Sequence, residues 1–126
     1  MATILIIDDS ASELALMRTV IDPLGHIIIP APNGRDGQAL AEAHQPDLVL
    51  LDIVMPEQDG FVTCRQLKKN PATAHIPVIL ISSKNTDSDR FWGMKQGAVN
   101  YVTKPFDPQK LTSLIHQYIA AQLYQT

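Results

Sequence analysis

The chain has 126 residues, 45% of them hydrophobic, and a formal net charge of -3 at pH 7. This length and composition suit one compact domain with a buried core, which we expect to span residues 1–126. The weak negative charge and the lack of a basic run argue against direct nucleic-acid binding. No segment reaches the roughly 18 consecutive apolar residues of a membrane span, and the first residues do not form a signal peptide. We therefore expect a cytoplasmic protein without membrane insertion.

Cysteine and histidine give little sign of metal or redox chemistry. The single cysteine, Cys64, has no disulfide partner and no CxxC motif, so we expect a small residue in the core or on a helix face. The four histidines lack the spacing of a zinc site. They are His26, His44, His75 and His116.

Short apolar runs alternate with amphipathic stretches from the first residues onward. The run TILII (3–7) predicts a strand that is covered on both faces, and a stripe at helical spacing then predicts a first helix that ends at Pro23 and Gly25. The stripe consists of Leu14, Met17, Ile21 and Leu24. The run 26–31 predicts a second strand, in which Pro30 lacks a backbone donor and so indicates a sheet edge.

The remaining elements continue the same alternation. Apolar runs predict strands at three places and helical periodicity predicts helices at four, with polar caps or turn residues at several of their ends. The strands are 47–52, 76–82 and 99–103, and the helices are 34–44, 61–70, 86–98 and a last one from about residue 108. The alternation predicts an α/β fold in which a five-stranded parallel sheet, of order 2-1-3-4-5, has five helices on its two faces. This is the flavodoxin-like, doubly wound arrangement, whose ligands bind beyond the carboxyl ends of the strands.

Polar side chains follow the apolar runs at that edge of the sheet. They are Asp8, Asp9, Asp52, Ser82 and Lys104. Each has an ordinary structural explanation: Asp9 or Ser10 could cap the first helix, and Lys104 could be a solvated surface charge. Because parallel strands lie about 4.8 Å apart, however, all of these groups can converge on one pocket.

The charges of these groups suggest a particular chemistry. Three close carboxylates repel one another, and a hard cation such as Mg²⁺ relieves that repulsion through oxygen ligands. An aspartate oxygen can attack a phosphoryl group to give an acyl phosphate, while Lys104 and Ser82 contact the phosphoryl oxygens. The sequence has no P-loop or GxGxxG motif, so a glycine-rich nucleotide cradle is not supported.

Four segments together resemble the receiver domain of two-component response regulators. They are ILIIDDS, LVLLDIVMPEQDG, PVILISS and YVTKPF, and in order they run from residue 4 to residue 106. The resemblance implies that Asp52 is the phosphoacceptor and that Mg²⁺ is held by Asp8, Asp9, Asp52 and the backbone carbonyl of Val54. It also implies that Ser82 and Tyr101 are switch residues, that Lys104 contacts the phosphoryl group, and that a cis bond precedes Pro105. Pro56 and Gly60 match the turn residues after the phosphoacceptor.

The same resemblance implies partners and an output surface. We expect a sensor histidine kinase or phosphotransfer protein as the phosphodonor, and an effector protein on the face formed by the fourth helix, fifth strand and fifth helix. The apolar and aromatic candidates for that face are Phe91, Trp92, Met94 and Tyr101. Trp92 is the expected exposed anchor, whereas core packing is the favoured explanation for Phe91 and Met94. We expect no output domain and no enzymatic activity beyond the domain's own phosphorylation and dephosphorylation.

Several alternatives remain at this stage. The chain could be a phosphate sink, a receiver used only for docking, or an aspartyl-phosphate phosphohydrolase, although the last would be expected to have a different nucleophile motif and a cap insertion. Val54 and Ser83 depart from the commonest receiver pattern, which leaves the acyl-phosphate lifetime open. The segment from residue 82 to residue 106 is similar to regulators of type IV pilus twitching motility and of chemotaxis-like pathways.

Overall fold

The computed structural model describes residues 1–123, in which five strands alternate with five helices. The strands are β1 (Thr3–Ile7), β2 (Ile27–Ala31), β3 (Leu48–Asp52), β4 (Val78–Ser82) and β5 (Asn100–Thr103). The helices are α1 (Ala11–Ile21), α2 (Gly34–His44), α3 (Gly60–Lys69), α4 (Asp87–Lys95) and α5 (Pro108–Leu123). A short 3₁₀ helix, Asp22–Leu24, follows α1.

All neighbouring strands of the sheet are parallel, and their order is β2-β1-β3-β4-β5. The fold class and strand order predicted from the sequence are therefore confirmed. Pro30 lies in β2 at the edge of the sheet, where its missing N–H costs no central ladder bond. The register pairs Asp52 with Ile81 and Ser82 with Thr103, so the carboxyl ends of β3, β4 and β5 lie at one edge.

Two separate apolar clusters cover the faces of the sheet. Successive side chains of a strand point to opposite faces. In β1, Leu5 and Ile7 accordingly belong to the cluster beneath α2 and α3, whereas Ile4 and Ile6 belong to the cluster beneath α1 and α5. Because both faces are covered, the central strands consist of unbroken apolar runs rather than alternating ones.

Several element boundaries differ from the predicted ones by one to three residues. β4 begins at Val78 rather than residue 76, and α4 ends at Lys95 rather than residue 98. The last residues of the predicted fourth helix are lost because Gly97 takes a left-handed conformation (φ 104°), which ends the helix. At the other end of α4, Thr86 is a cap residue outside the helix.

Two side chains of α4 were wrongly expected in the core. Phe91 and Met94 are 67% and 45% exposed, whereas Trp92, at 48%, is exposed as expected. The buried residue of α4 is Gly93, so the helix contacts the sheet through its backbone and turns its large apolar side chains outward. Periodicity alone misassigned this face because three of four consecutive residues are large and apolar.

Gly60, the first residue of α3, packs directly against the backbone at the end of β3. A Cβ at this position would lie 2.3 Å from the carbonyl oxygen of Asp52 and 2.7 Å from Cα of Ile53, and the Gly60 N–H donates to the Ile53 carbonyl (2.8 Å). The close approach of two backbone segments therefore requires glycine here.

Replacing this glycine should disturb both stability and the end of β3. We expect Gly60→Ala to lower the free energy of unfolding by about 1–3 kcal/mol, because the added methyl group strikes backbone that cannot swing aside. Urea denaturation measures the loss, and NMR shifts of Asp52 and Ile53 report the displacement. Gly25→Ala is the control: Gly25 has a left-handed φ of 82° but, among the described residues, an open Cβ position. It should cost stability without moving those shifts; an unperturbed Gly60→Ala protein would contradict the prediction.

Candidate functional site: an acidic pocket at the strand ends

The end of β1 places two adjacent carboxylates in different surroundings. Asp8 is buried, with 4% of the residue exposed, while Asp9 is exposed. The Asp8 backbone N–H donates to the Ala31 carbonyl (3.0 Å), which continues the β1–β2 pairing past the strand. One Asp8 oxygen, Oδ1, accepts from the Ser10 N–H (2.9 Å). Asp8 is therefore held in place by the backbone around it.

Three carboxylates meet at this edge of the sheet. One oxygen from each of Asp8, Asp9 and Asp52 lies within 4.8 Å of the others. Carboxylate oxygens at such separations are the donor set that a hard divalent cation takes. The sequence prediction that the ends of the first and third strands bring their acids together is confirmed, and the donor set fits Mg²⁺.

Asp52 ends β3 in a largely buried position. Burial is the main reason that its pKa rises from 3.8 to about 6, and the nearby Asp8 carboxylate adds to the rise. The Lys104 ammonium and the backbone N–H groups of Ile53 and Val54 act in the opposite direction. Without a cation, the pocket therefore disfavours a charged Asp52.

Lys104 brings one positive charge into contact with three acids. Its Nζ lies 3.3 Å from Asp8 Oδ2, 3.5 Å from Glu13 Oε2 and 3.6 Å from Asp52 Oδ1. Burial alone would lower the pKa of Lys104, but the carboxylates of Asp52, Asp8 and Glu13 raise it. The Lys104–Pro105 bond is cis, as expected, and the Lys104 N–H donates to the Ser82 carbonyl (2.8 Å).

Ser82 and Tyr101 are connected through the backbone of Lys84. The fully buried Ser82 accepts from the Lys84 N–H through its Oγ (3.1 Å), and the Tyr101 hydroxyl donates to the Lys84 carbonyl (2.7 Å). The Tyr101 ring is buried against Gly93, where a Cβ would lie 3.0 Å from its Cδ2. The two predicted switch residues therefore hold the same loop residue.

An open cavity of about 520 Å³ gives access to these groups. Its lining includes Asp9, Glu13, Asp52 and Lys104, and Val54 lines it with a side chain that is 53% exposed. The metal-ligand role of the Val54 carbonyl stays a prediction.

Sequence reasoning missed one member of the site, Glu13. The signal was available in the spacing Ser10-x-x-Glu13, which resembles a helix capping box. That spacing places a carboxylate in the first turn of α1.

This geometry agrees with what comparison with known proteins shows. Residues 4–116 match the response regulator receiver domain family, so the chain belongs to that family. The resemblance stated from the sequence is confirmed: the protein is a receiver domain of the two-component type.

Among individual relatives, the chain is similar to Protein PilH of Pseudomonas aeruginosa, with 45% identity over 95% of this chain and 99% of that protein. It is 39% identical to the response regulator PleD of Caulobacter vibrioides over 84% of this chain, which spans only 23% of PleD. Among solved structures, it resembles the signal receiver domain of a signal transduction histidine kinase from Syntrophus aciditrophicus. That match has a TM-score of 0.91 and 29% identity, and it covers 100% of this chain and 95% of the other.

Within residues 1–123, the helices are all too short or too polar to cross a bilayer.

The raised pKa of Asp52 predicts a pH dependence in metal-free protein. The folded state keeps the Asp52 proton at pH values where the unfolded chain has lost it, so this contribution to stability is complete below pH 3.8 and is lost as the pH rises through about 6. Urea denaturation in EDTA, from about pH 4 to about pH 8, should show Asp52→Asn gaining stability relative to the unsubstituted protein over that window. A difference between the two proteins that does not change with pH would contradict this assignment.

Proposed function

We propose that the protein is a response regulator that accepts a phosphoryl group on Asp52 from a sensor histidine kinase or phosphotransfer protein. The observation that supports this most strongly is Lys104 Nζ, which lies 3.6 Å from Asp52 Oδ1 and 3.3 Å from Asp8 Oδ2 beside an open cavity. An Asp52 oxygen attacks the phosphorus of a phosphohistidine, the O–P bond forms, and the P–N bond breaks with its electron pair going to the imidazole. Lys104 then contacts the negative oxygens of the transferred group.

Asp8, Asp9, Asp52 and the Val54 carbonyl would hold Mg²⁺. The ion supplies charge neutralisation for the incoming phosphoryl group. Asp52 is largely buried but lines the open cavity, so its oxygens are reached by an incoming phosphoryl group from that side.

Phosphorylation would change the conformation of the protein through Ser82. A phosphoryl group adds about -1.5 to -2 charges and three acceptor oxygens. If Ser82 turns its hydroxyl toward those oxygens, the Lys84 N–H loses its acceptor (3.1 Å), while Tyr101 still holds the carbonyl of the same residue (2.7 Å). The loop that leads into α4 is therefore the segment that moves.

The output surface would be the α4-β5-α5 face, on which an effector protein docks. Its α4 side carries the exposed Phe91, Trp92 and Met94. Arg90 lies over the Tyr101 ring (5.5 Å) and Lys95 over the Phe91 ring (5.4 Å), so cations flank the apolar side chains. This surface suits signalling through a bound partner protein. We expect the protein to act in the cytoplasm.

Phosphorylation at one residue is the direct test. Incubation with Mg²⁺ and acetyl phosphate should give one phosphoryl adduct per chain by intact mass spectrometry, and Asp52→Asn should give none because it lacks the nucleophile. The matched control is Asp59→Asn, which removes a nearby carboxylate but keeps an oxygen to cap α3 at the Val62 N–H. This control should be phosphorylated like the unsubstituted protein.

Other outcomes of that experiment would replace the proposal. Repeated turnover of unrelated phosphomonoesters would indicate a phosphohydrolase. No adduct from acetyl phosphate or from a histidine kinase would indicate a docking-only receiver. An adduct that forms without any change in the loop or in α4 would indicate a phosphate sink.

Magnesium should stabilise the folded protein. A ligand that binds only the folded state raises the unfolding midpoint with concentration, so Mg²⁺ added to EDTA-treated protein should shift the thermal midpoint upward. Asp9→Asn should reduce the shift because it removes a proposed ligand. Asp22→Asn removes an exposed carboxylate that pairs with Arg18 (3.7 Å) after α1, and it should leave the shift intact. Equal shifts in both variants would contradict the metal assignment.

A further inference from the structure

The first turn of α1 contains a capping box that is only half formed. Ser10 accepts from the Glu13 N–H through its Oγ (3.3 Å), as the N-cap residue of such a box does. In a complete box, the Glu13 side chain would accept from the Ser10 N–H in return. That N–H instead donates to Asp8 Oδ1 (2.9 Å). The Glu13 carboxylate is thereby freed from the usual capping role.

The same chain contains a complete box for comparison. At the start of α4, the Thr86 hydroxyl accepts from the Asp89 N–H (3.1 Å), and Asp89 Oδ2 accepts from the Thr86 N–H (3.3 Å). The reciprocal bond therefore forms where no other carboxylate takes the N-cap N–H. At α1, the buried Asp8 accepts the N–H of the N-cap residue Ser10 instead.

The freed Glu13 carboxylate contacts Lys104 instead. Glu13 Oε2 lies 3.5 Å from Lys104 Nζ, which also lies 3.6 Å from Asp52 Oδ1 and 3.3 Å from Asp8 Oδ2, so the ammonium group is shared among the three carboxylates. The Glu13 side chain is 38% exposed and lines the same cavity as Asp52. It therefore adds a negative charge to the cavity onto which Asp52 opens.

We propose that Glu13 is a positioning residue for phosphoryl transfer, which competes with Asp52 for the Lys104 ammonium and holds it toward α1 until a phosphoryl group arrives. The inference rests on the proposed function of Asp52. When Lys104 moves to the phosphoryl oxygens, Glu13 loses its partner, so every transfer has to break this ion pair. Glu13 thus slows phosphorylation both by retaining Lys104 and by repelling an anionic donor.

The kinetic test uses Glu13→Gln, which keeps the size of the side chain and removes its charge. With Mg²⁺ and acetyl phosphate at low ionic strength, we expect phosphorylation about twofold to fivefold faster than in the unsubstituted protein, as suits a partly exposed ion pair. The gain should shrink as salt is added, because screening weakens the interactions that the substitution removes. A purely structural effect of the substitution would not follow ionic strength in this way.

The matched control is Glu42→Gln, which changes the net charge equally. Glu42 is exposed near the end of α2, away from the pocket, and accepts from the Asn70 side-chain amide, which a glutamine oxygen can still do. This variant should be phosphorylated at the unsubstituted rate. If Glu13→Gln matches Glu42→Gln, or reacts more slowly than the unsubstituted protein, the inference is overturned.

A second measurement is independent of phosphorylation. In EDTA, a double-mutant cycle of unfolding free energies for Glu13→Gln and Lys104→Met should show favourable coupling, and the same cycle with Glu42→Gln should show none. Zero coupling at Glu13 overturns the inference even if the rates differ. If the unsubstituted protein takes up no phosphoryl group at all, the proposed function fails, while the cycle still decides whether the ion pair exists.

Discussion

One ammonium group among several carboxylates is the interaction on which the site depends. Asp8 and Asp52 are buried at the ends of neighbouring strands, where repulsion and lost hydration both oppose two charges. Lys104 lies within 3.6 Å of both and supplies part of the missing neutralisation. Burial raises the pKa of Asp52 despite the nearby Lys104, so the metal-free pocket still disfavours the charged carboxylate. The site is thus suited to a cation and to a reaction that redistributes charge.

Hydrogen bonds at the ends of β4 and β5 connect Lys104 with the loop before α4. Lys104 donates its backbone N–H to the Ser82 carbonyl, and Ser82 in turn accepts from Lys84. The hydroxyl of Tyr101 holds the other side of the Lys84 peptide. A short series of hydrogen bonds therefore connects the charged pocket with the loop before α4.

The fold could be predicted from the sequence because its evidence is local. Short apolar runs such as residues 3–7 are typical of strands that are covered on both faces of a sheet, and Pro30 marks an edge. The convergence of Asp8, Asp9, Asp52 and Lys104 also follows, since the ends of parallel strands meet at one edge.

Other features depend on contacts that the sequence does not state. The exposure of Phe91 and Met94 follows from the close packing of α4 at Gly93, which a hydrophobic pattern does not indicate. The role of Glu13 depends on which carboxylate takes the Ser10 N–H, and two acids, Asp8 and Glu13, compete for that donor. The three-dimensional arrangement alone decides between them.

The shallow attachment of α4 has a thermodynamic consequence. Of its residues, Gly93 alone is buried, whereas α3 buries four residues, including Cys64 and Leu67. The helix itself therefore buries little apolar side-chain area, and regions with few buried contacts open at a fraction of the global unfolding free energy. The helix that bears the aromatic surface is thus held to the sheet mainly where Gly93 meets Leu80 and Tyr101.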